Sequence, residues 1–266
     1  AGASLGGPIV QDRTFFYANF EVTRDRNRQI VDASALGVVD TVTGNNAFTL
    51  GSVRLDHRLT AAWTLGLRAN VGRVTIDRPG GGLGGGNATF PSAGSDQDRF
   101  STLVAATASY SGDVWSYDGA IQFSRFRWNY GKAKNGPGPQ VAIRDPSGLT
   151  VGVVGHPGFL FDDVEESWQT TQRLQRKLGS HKLSIGADLI RSDFALLGGG
   201  NPDGNFAVDL TAAQLASLAA SGKGLALTAQ DVLALNPFVA NYAVELRPQS
   251  FGTAQTQLAF YVEDEW

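Results

Sequence analysis

The sequence predicts an all-β fold: an antiparallel wall of about nine strands from a larger transmembrane β-barrel, with short periplasmic turns and long extracellular loops. Three observations predict it. Apolar and polar residues alternate with period two over stretches longer than the ~5–6 residues of a globular strand. No apolar run approaches the ~18 residues of a transmembrane helix, so a membrane protein of this composition must cross with strands. Short and long connections alternate along the chain, as they do in bacterial outer-membrane barrels.

Strands are expected at 4–9, 14–26, 47–57, 62–77, 97–110, 114–130, 164–178, 181–195 and 250–266. In the fourth, Trp63, Leu65, Leu67, Ala69 and Val71 share one face, and Thr64, Gly66, Arg68, Asn70 and Gly72 the other. In the sixth, Trp115, Tyr117, Ile121 and Phe123 oppose Ser116, Asp118, Gln122 and Ser124; in the eighth, Leu183, Ile185, Ala187 and Leu189 oppose Lys182, Ser184, Gly186 and Asp188. The last strand sets Leu258, Phe260 and Val262 against Gln257, Tyr261 and Glu263. The apolar faces mix Leu and Val with Ala, Thr and Gly, less bulky than a sandwich core. Short turns fall at 10–13, 57–60, 111–113 and 179–180, and long loops at 27–46, 78–96, 131–163 and 196–250. An odd strand count cannot complete an up-and-down bacterial barrel, which predicts a segment of a larger one. Within the loop 196–250, Thr211-Ala-Ala-Gln214 and Thr228-Ala-Gln-Asp231 read as capping boxes that start short helices near 211–220 and 229–235. These make the loop a folded cap, or a lid, over the barrel mouth.

The chain starts at Ala1 and contains no Met, so we expect an internal segment of a longer protein. The absence of cysteine removes disulfides and thiolate metal sites. A net charge of -3 argues against nucleic acid as a partner, which demands a basic footprint. No pair of His57, His156 and His181 has metal-ligand spacing, and no serine sits in a nucleophile elbow. The glycine run at 79–87 lacks the Gly-Lys-Ser/Thr end of a phosphate loop and reads as a surface loop. Asp162, Asp163, Glu165 and Glu166, and the oxygens of Asn201, Asp203 and Asn205, are weak calcium candidates against solvated loops or Asx turns. We therefore expect no catalytic residue, no cofactor and no metal site, and do not expect an enzyme. The residues to line a lumen are Arg54, Arg68, Asn70, Asp118, Gln122, Lys182 and Asp188, all on predicted polar faces.

The segment Ser4-Leu-Gly-Gly-Pro-Ile-Val-Gln-Asp-Arg-Thr-Phe-Phe-Tyr-Ala-Asn-Phe-Glu-Val-Thr-Arg24 closely resembles a stretch near the start of the barrel in TonB-dependent outer-membrane receptors of the Oar-like type. The matching residues are Gly6, Gly7, Pro8, Phe15, Phe16, Glu21 and Arg24. Val53-Arg-Leu-Asp56-His57 is similar to the family's strand end and turn, Gly179-Ser-His-Lys-Leu-Ser-Ile-Gly186-Ala-Asp188 to another of its strands, and Ala259-Phe-Tyr-Val-Glu-Asp264-Glu-Trp266 to a third.

The resemblance implies a 22-stranded barrel plugged by an N-terminal domain, with residues 1–266 a partial barrel domain and neither the plug nor the TonB-contacting segment in this chain. It implies active transport of a large or scarce solute (peptide, oligosaccharide or siderophore class). The expected partners are outer-membrane lipid, that solute, and the TonB complex through the missing N-terminal region. Two other readings are a passive porin or structural barrel, and a secreted β-rich adhesin whose apolar faces pack into a dry core. We further expect that the segment alone, with two unpaired sheet edges, neither folds stably nor transports anything.

Overall fold

The computed structural model describes residues 1–80, 88–133, 138–245 and 250–266. The main body is one nine-stranded antiparallel sheet. Its strands are β1 (Gly2–Val10), β2 (Thr14–Ala33), β3 (Val38–Arg58), β4 (Trp63–Arg78), β5 (Ser95–Ser111), β6 (Trp115–Ala133), β9 (Phe159–Leu178), β10 (His181–Gly200) and β13 (Ser250–Glu265). Each pairs with its neighbour in the order just given, and β1 and β13 are the edges of the open sheet. Two sheets packed face to face, as an adhesin sandwich requires, are not what forms.

The register carries every side chain to a defined face. Phe16, Leu55, Leu67, Ala106, Ile121, Thr170, Leu189 and Leu258 form one row straight across eight strands. Because side chains alternate, the next row lies on the opposite face and holds Tyr17, Arg54, Arg68, Ala105, Gln122, Gln169, Ile190 and Gln257. The apolar row is not a core: Leu67 and Ile121 are each 50% exposed.

The tight connections at residues 11–13, 59–62, 112–114 and 179–180 fall at one end of the sheet. Asp12 takes a positive φ of 57° in the first, a conformation that Asp, with its short polar side chain, adopts more readily than most residues. The opposite end carries the insertions. Here the loop expected at 27–46 is corrected: β2 and β3 continue as a paired ribbon to Ala33 and Val38, joined only by a turn at Ser34–Leu36 and Gly37.

The insertions after β6 and β10 build a second, four-stranded sheet in the order β12-β11-β7-β8. Its strands are β7 (Gln140–Arg144), β8 (Thr150–Val154), β11 (Asn205–Asp209) and β12 (Asn241–Ala243), none anticipated from the sequence. Helices α1 (Ala212–Ala220) and α2 (Ala229–Leu235) stand where the capping boxes put them, and both boxes are formed. The tip of the β2–β3 ribbon, Phe90, β7, β8, β11, α1 and α2 share one buried cluster, with Val31, Phe90, Ile143, Val208 and Val232 at 0% exposure. The molecule's apolar core is therefore in this cap, not in the wall.

Candidate functional site: a two-faced wall and its cap

The apolar face has a vertical order. At the tight-turn end, Trp63 packs against Tyr110 and Tyr117, with ring centroids 5.1 and 6.1 Å apart. The Arg176 guanidinium lies 4.8 Å over the Trp115 ring, and Trp266 stacks on His181 beside the His181–Asp264 pair at 2.8 Å. Next come rows of Leu, Ala, Ile and Val. A second aromatic level follows, where Phe123 and Trp168 lie 4.9 Å apart. Beyond it the same face turns ionic: Arg125–Glu166 at 3.1 Å, Arg127–Asp162 at 2.5 Å, Arg73–Asp98 at 3.0 Å and Arg191–Asp193 at 2.9 Å. From Trp115 to Arg125 is ten residues along β6, or ~33 Å of strand, about 25 Å along the normal at a ~40° tilt.

The few polar side chains within this band bond to the protein itself. Gln172 accepts from the Tyr117 hydroxyl and donates to the Ala120 carbonyl at 3.3 Å and to Thr170 Oγ1 at 2.8 Å. Thr170 donates to the same carbonyl at 2.9 Å, and His57 Nδ1 meets Thr14 Oγ1 at 2.9 Å. In a medium with no water to bond, an unsatisfied polar group costs several kcal/mol, so this self-sufficiency suits a hydrocarbon neighbour.

The opposite face carries most of the wall's polar side chains toward the tight-turn end and mixes them with apolar ones such as Leu50, Val74 and Phe126 toward the cap. The register places Arg54, Arg68, Asn70, Asp118, Gln122, Lys182 and Asp188 on it. They are dispersed rather than convergent. Arg54 and Arg68 are direct cross-strand partners; Arg54 turns its charge to Asp56 in a bidentate pair at 2.8 and 2.9 Å, and Arg68 donates to Asn70 at 3.2 Å. Lys182 bonds Glu265 at 3.2 Å, and Arg173, directly across from Asp118, reaches Glu263 at 3.6 Å. Near the cap this face gains a cluster that sequence reasoning missed. Tyr130 stacks on Phe161 at 5.1 Å, and Arg99 lies 4.5 Å over Trp128. Arg99 Nε, Trp128 Nε1 and Asp163 Oδ1 are buried without a hydrogen-bond partner among the described residues. Period-two alternation was the available signal, since all five residues share a face, but their rise in aromatic content falls where a loop boundary was expected.

The other motif residues act structurally. Gly6 lies under Tyr17: a Cβ there would stand 3.1 Å from the Phe16 carbonyl and the Tyr17 ring. Gly186 faces the Tyr261 ring, which fills the space a side chain would need. Gly7 has open space around it, and the register slips between Pro8 and Val10 ahead of the turn. Phe15 and Phe16 point to opposite faces, Phe15 opposite Pro8 and Asp56. Glu21 and Arg24 likewise divide between faces.

The oxygens of the calcium candidates are engaged elsewhere or split between faces. Asp162 and Glu166 are paired to arginines on one face while Asp163 and Glu165 point to the other. Asn201 Oδ1 accepts from the Asp203 amide at 2.9 Å in an Asx turn, and Asp203 holds the Gly138 amide at 2.9 Å. No group of three possible metal ligands exists among the described residues. Most of the glycine run, residues 81–87, lies outside the described residues. The cap also contains a cleft of ≈ 820 Å³ lined by Pro91, Pro139, Leu225, Leu227, Thr228 and Leu233. Around it, the Asp231 carboxyl is held below the usual aspartate range by Lys223 and by the Thr228 hydroxyl and amide.

A one-sided apolar band bounded by aromatic rings, on strands this long, is the wall of an outer-membrane β-barrel. A family model described as an outer membrane beta barrel domain matches residues 32–266, and the chain belongs to that family. The outer membrane transporter YddB from Escherichia coli is similar in fold, with a TM-score of 0.65 at 11% identity, over 99% of this chain and 31% of that one. The chain thus spans about a third of that transporter's length. No curated protein matches it significantly. The protein resides in the bacterial outer membrane, and the face carrying Leu67 and Ile121 is the one that meets lipid.

Proposed function

We propose that the chain is part of the wall of a TonB-dependent active transporter that carries a large or scarce solute inward, of the peptide, oligosaccharide or siderophore class. The observation that carries this reading is the open nine-stranded sheet whose fold corresponds, over 99% of its length, to 31% of an outer-membrane transporter. Unpaired strand edges are not tolerated in lipid, so β1 and β13 call for further strands of the same barrel. The Oar-like resemblance of the segment 4–24 supplies the TonB dependence. In this reading the tight turns are periplasmic and the cap is extracellular. Arg54, Arg68, Asn70, Asp118, Gln122, Lys182 and Asp188 line the lumen, facing plug or solute. The TonB complex engages through a region outside this chain, and no residue here is catalytic. The cap, with its cleft, is the first surface a solute meets.

The test is uptake by cells producing the full-length protein. Accumulation of the cognate solute should stop when the proton gradient is collapsed or TonB is deleted, while surface binding persists. Uptake indifferent to both treatments belongs to a passive porin and overturns the proposal.

A further inference from the structure

On the lipid-facing side, four arginines sit at the cap end of the apolar band or beyond it, and each has its own acid: Arg73 with Asp98, Arg125 with Glu166, Arg127 with Asp162 and Arg191 with Asp193. Strand β2 breaks this rule. Its outward face runs Phe16, Ala18, Phe20, Val22 and then Arg24, Arg26 and Arg28. The three guanidiniums are exposed, and none has an ion pair or side-chain hydrogen bond among the described residues. Alternate positions place them over ~13 Å of strand.

Their outward cross-strand partners on β3 are Ala47, Asn45 and Thr43, all uncharged. The outward acid next in register is Asp77 of β4, one strand beyond Asn45, and its carboxylate accepts from the Asn45 amide at 3.4 Å. The adjacent acids Glu21 and Asp25 fall on the opposite face by alternation, and Asp25 accepts from Asn46 at 3.1 Å. Asp32, at the ribbon tip, is turned to the Ser34 amide at 3.3 Å.

Directly below, the same face is hollow. A groove of ≈ 520 Å³ runs across β1 to β4 between Leu5, Ala18, Phe20, Val53 and Val71, and its floor is Gly51. A bare Gly in the outward row leaves room that a larger side chain would fill: a Cβ there would meet Val71 Cγ1 at 3.4 Å, and the Asn19 carbonyl and Phe20 Cδ2 each at 3.9 Å.

We propose that Arg24, Arg26 and Arg28 with the Gly51 groove form a binding site for a phosphorylated, multi-acylated glycolipid of the outer leaflet, the chemistry of lipid A. The guanidiniums hold its phosphates by charge-assisted, bidentate hydrogen bonds, and an acyl chain lies in the groove beneath. Charge and groove sit in the order such a lipid presents them, headgroup at the polar edge of the band and hydrocarbon within it. The site rests on the cap end facing outward, as proposed above, but not on TonB or on transport.

The experiment is lipid retention by the full-length protein purified from outer membranes in mild detergent, read by native mass spectrometry and by titration with lipid A. Assembly is checked by the heat-modifiable gel mobility of the folded barrel. Arg24→Gln/Arg26→Gln/Arg28→Gln should bind lipid A about a hundredfold more weakly, roughly fivefold for each charge removed near the surface. Gly51→Leu should lower retention of the acylated lipid in a barrel whose arginines are intact. Dephosphorylated lipid A should bind the parent protein no better than it binds the triple variant. Equal lipid A binding by parent and triple variant overturns the proposal. So does inorganic phosphate displacing the lipid at equimolar concentration, which marks a free-phosphate site, or selective retention of a glycerophospholipid, which marks an inner-leaflet position. The transport reading fails separately, in the uptake assay.

Discussion

Leu67 and Leu183 have equal side chains and the same face, yet their surroundings differ. Leu67 sits in the row of Leu55, Ile121 and Leu189, two rows from the Trp63 level and one from the Trp168 level. Leu183 pairs with Arg176 and Asp264, beside the ring of Trp115. A charge at the bilayer midplane of a barrel costs about 2–4 kcal/mol and one near the interface about 0–1. Leu67→Arg should therefore destabilise the assembled full-length barrel by about 2–4 kcal/mol, and Leu183→Arg by no more than about 1. Denaturant unfolding in lipid vesicles reads both values. Equal penalties would mean that the band is placed wrongly along the strands. Sequence alone assigned the two leucines to one face correctly, because alternation is local. It could not rank their depth, because depth depends on which residues lie across the sheet.

At the scale of elements, α2 offers a titratable contact outside the membrane. Asp231 closes the capping box with Thr228 and pairs with Lys223, and these bonds hold its carboxyl below the ordinary aspartate value of 3.8. A depressed carboxylate contributes stability that is present above its unfolded value and lost as pH falls through the folded one. Hydrogen-exchange protection of α2 amides should thus be steady at neutral pH and fall as pH drops below about 3.8. In Asp231→Asn that acid-dependent step should disappear, and Thr228→Ala should cost about 1 kcal/mol at any pH through the lost cap. An unchanged acid profile in Asp231→Asn would remove the carboxylate from the account.

The helices were legible because a capping box is a four-residue pattern. The upper halves of β2 and β3 were not. There neither face meets hydrocarbon, Arg24-Asp-Arg-Asn-Arg28 is polar on each, and the alternation that marks a strand in lipid vanishes. The strands β7, β8, β11 and β12 are three to five residues long. β11 pairs in parallel with β7 across some sixty residues of chain, a pairing no local pattern announces. The Arg99–Trp128–Asp163 row escaped notice for a related reason: its members are brought side by side only by the register of three strands.

The whole molecule divides its hydrophobicity in two. The wall spends its large apolar side chains outward, and only the cap gathers Val31, Ile143, Val208 and Val232 into a dry cluster. That division is the reverse of a water-soluble β protein, where alternating strands turn their apolar side to a common core. The central claim is therefore the direction in which β6 presents its side chains. The chain contains no cysteine, so single cysteines placed from Trp115 to Arg127 in the full-length protein, spin-labelled in lipid vesicles, can be scanned for collision with dissolved oxygen and with a water-soluble nickel chelate. Oxygen accessibility should peak at Tyr117, Gly119, Ile121 and Phe123, the chelate should prevail at the intervening positions Asp118, Ala120 and Gln122, and the oxygen peaks should fade at Arg125. The same contrast without period two, or with its phase reversed, would contradict a membrane wall with a polar interior.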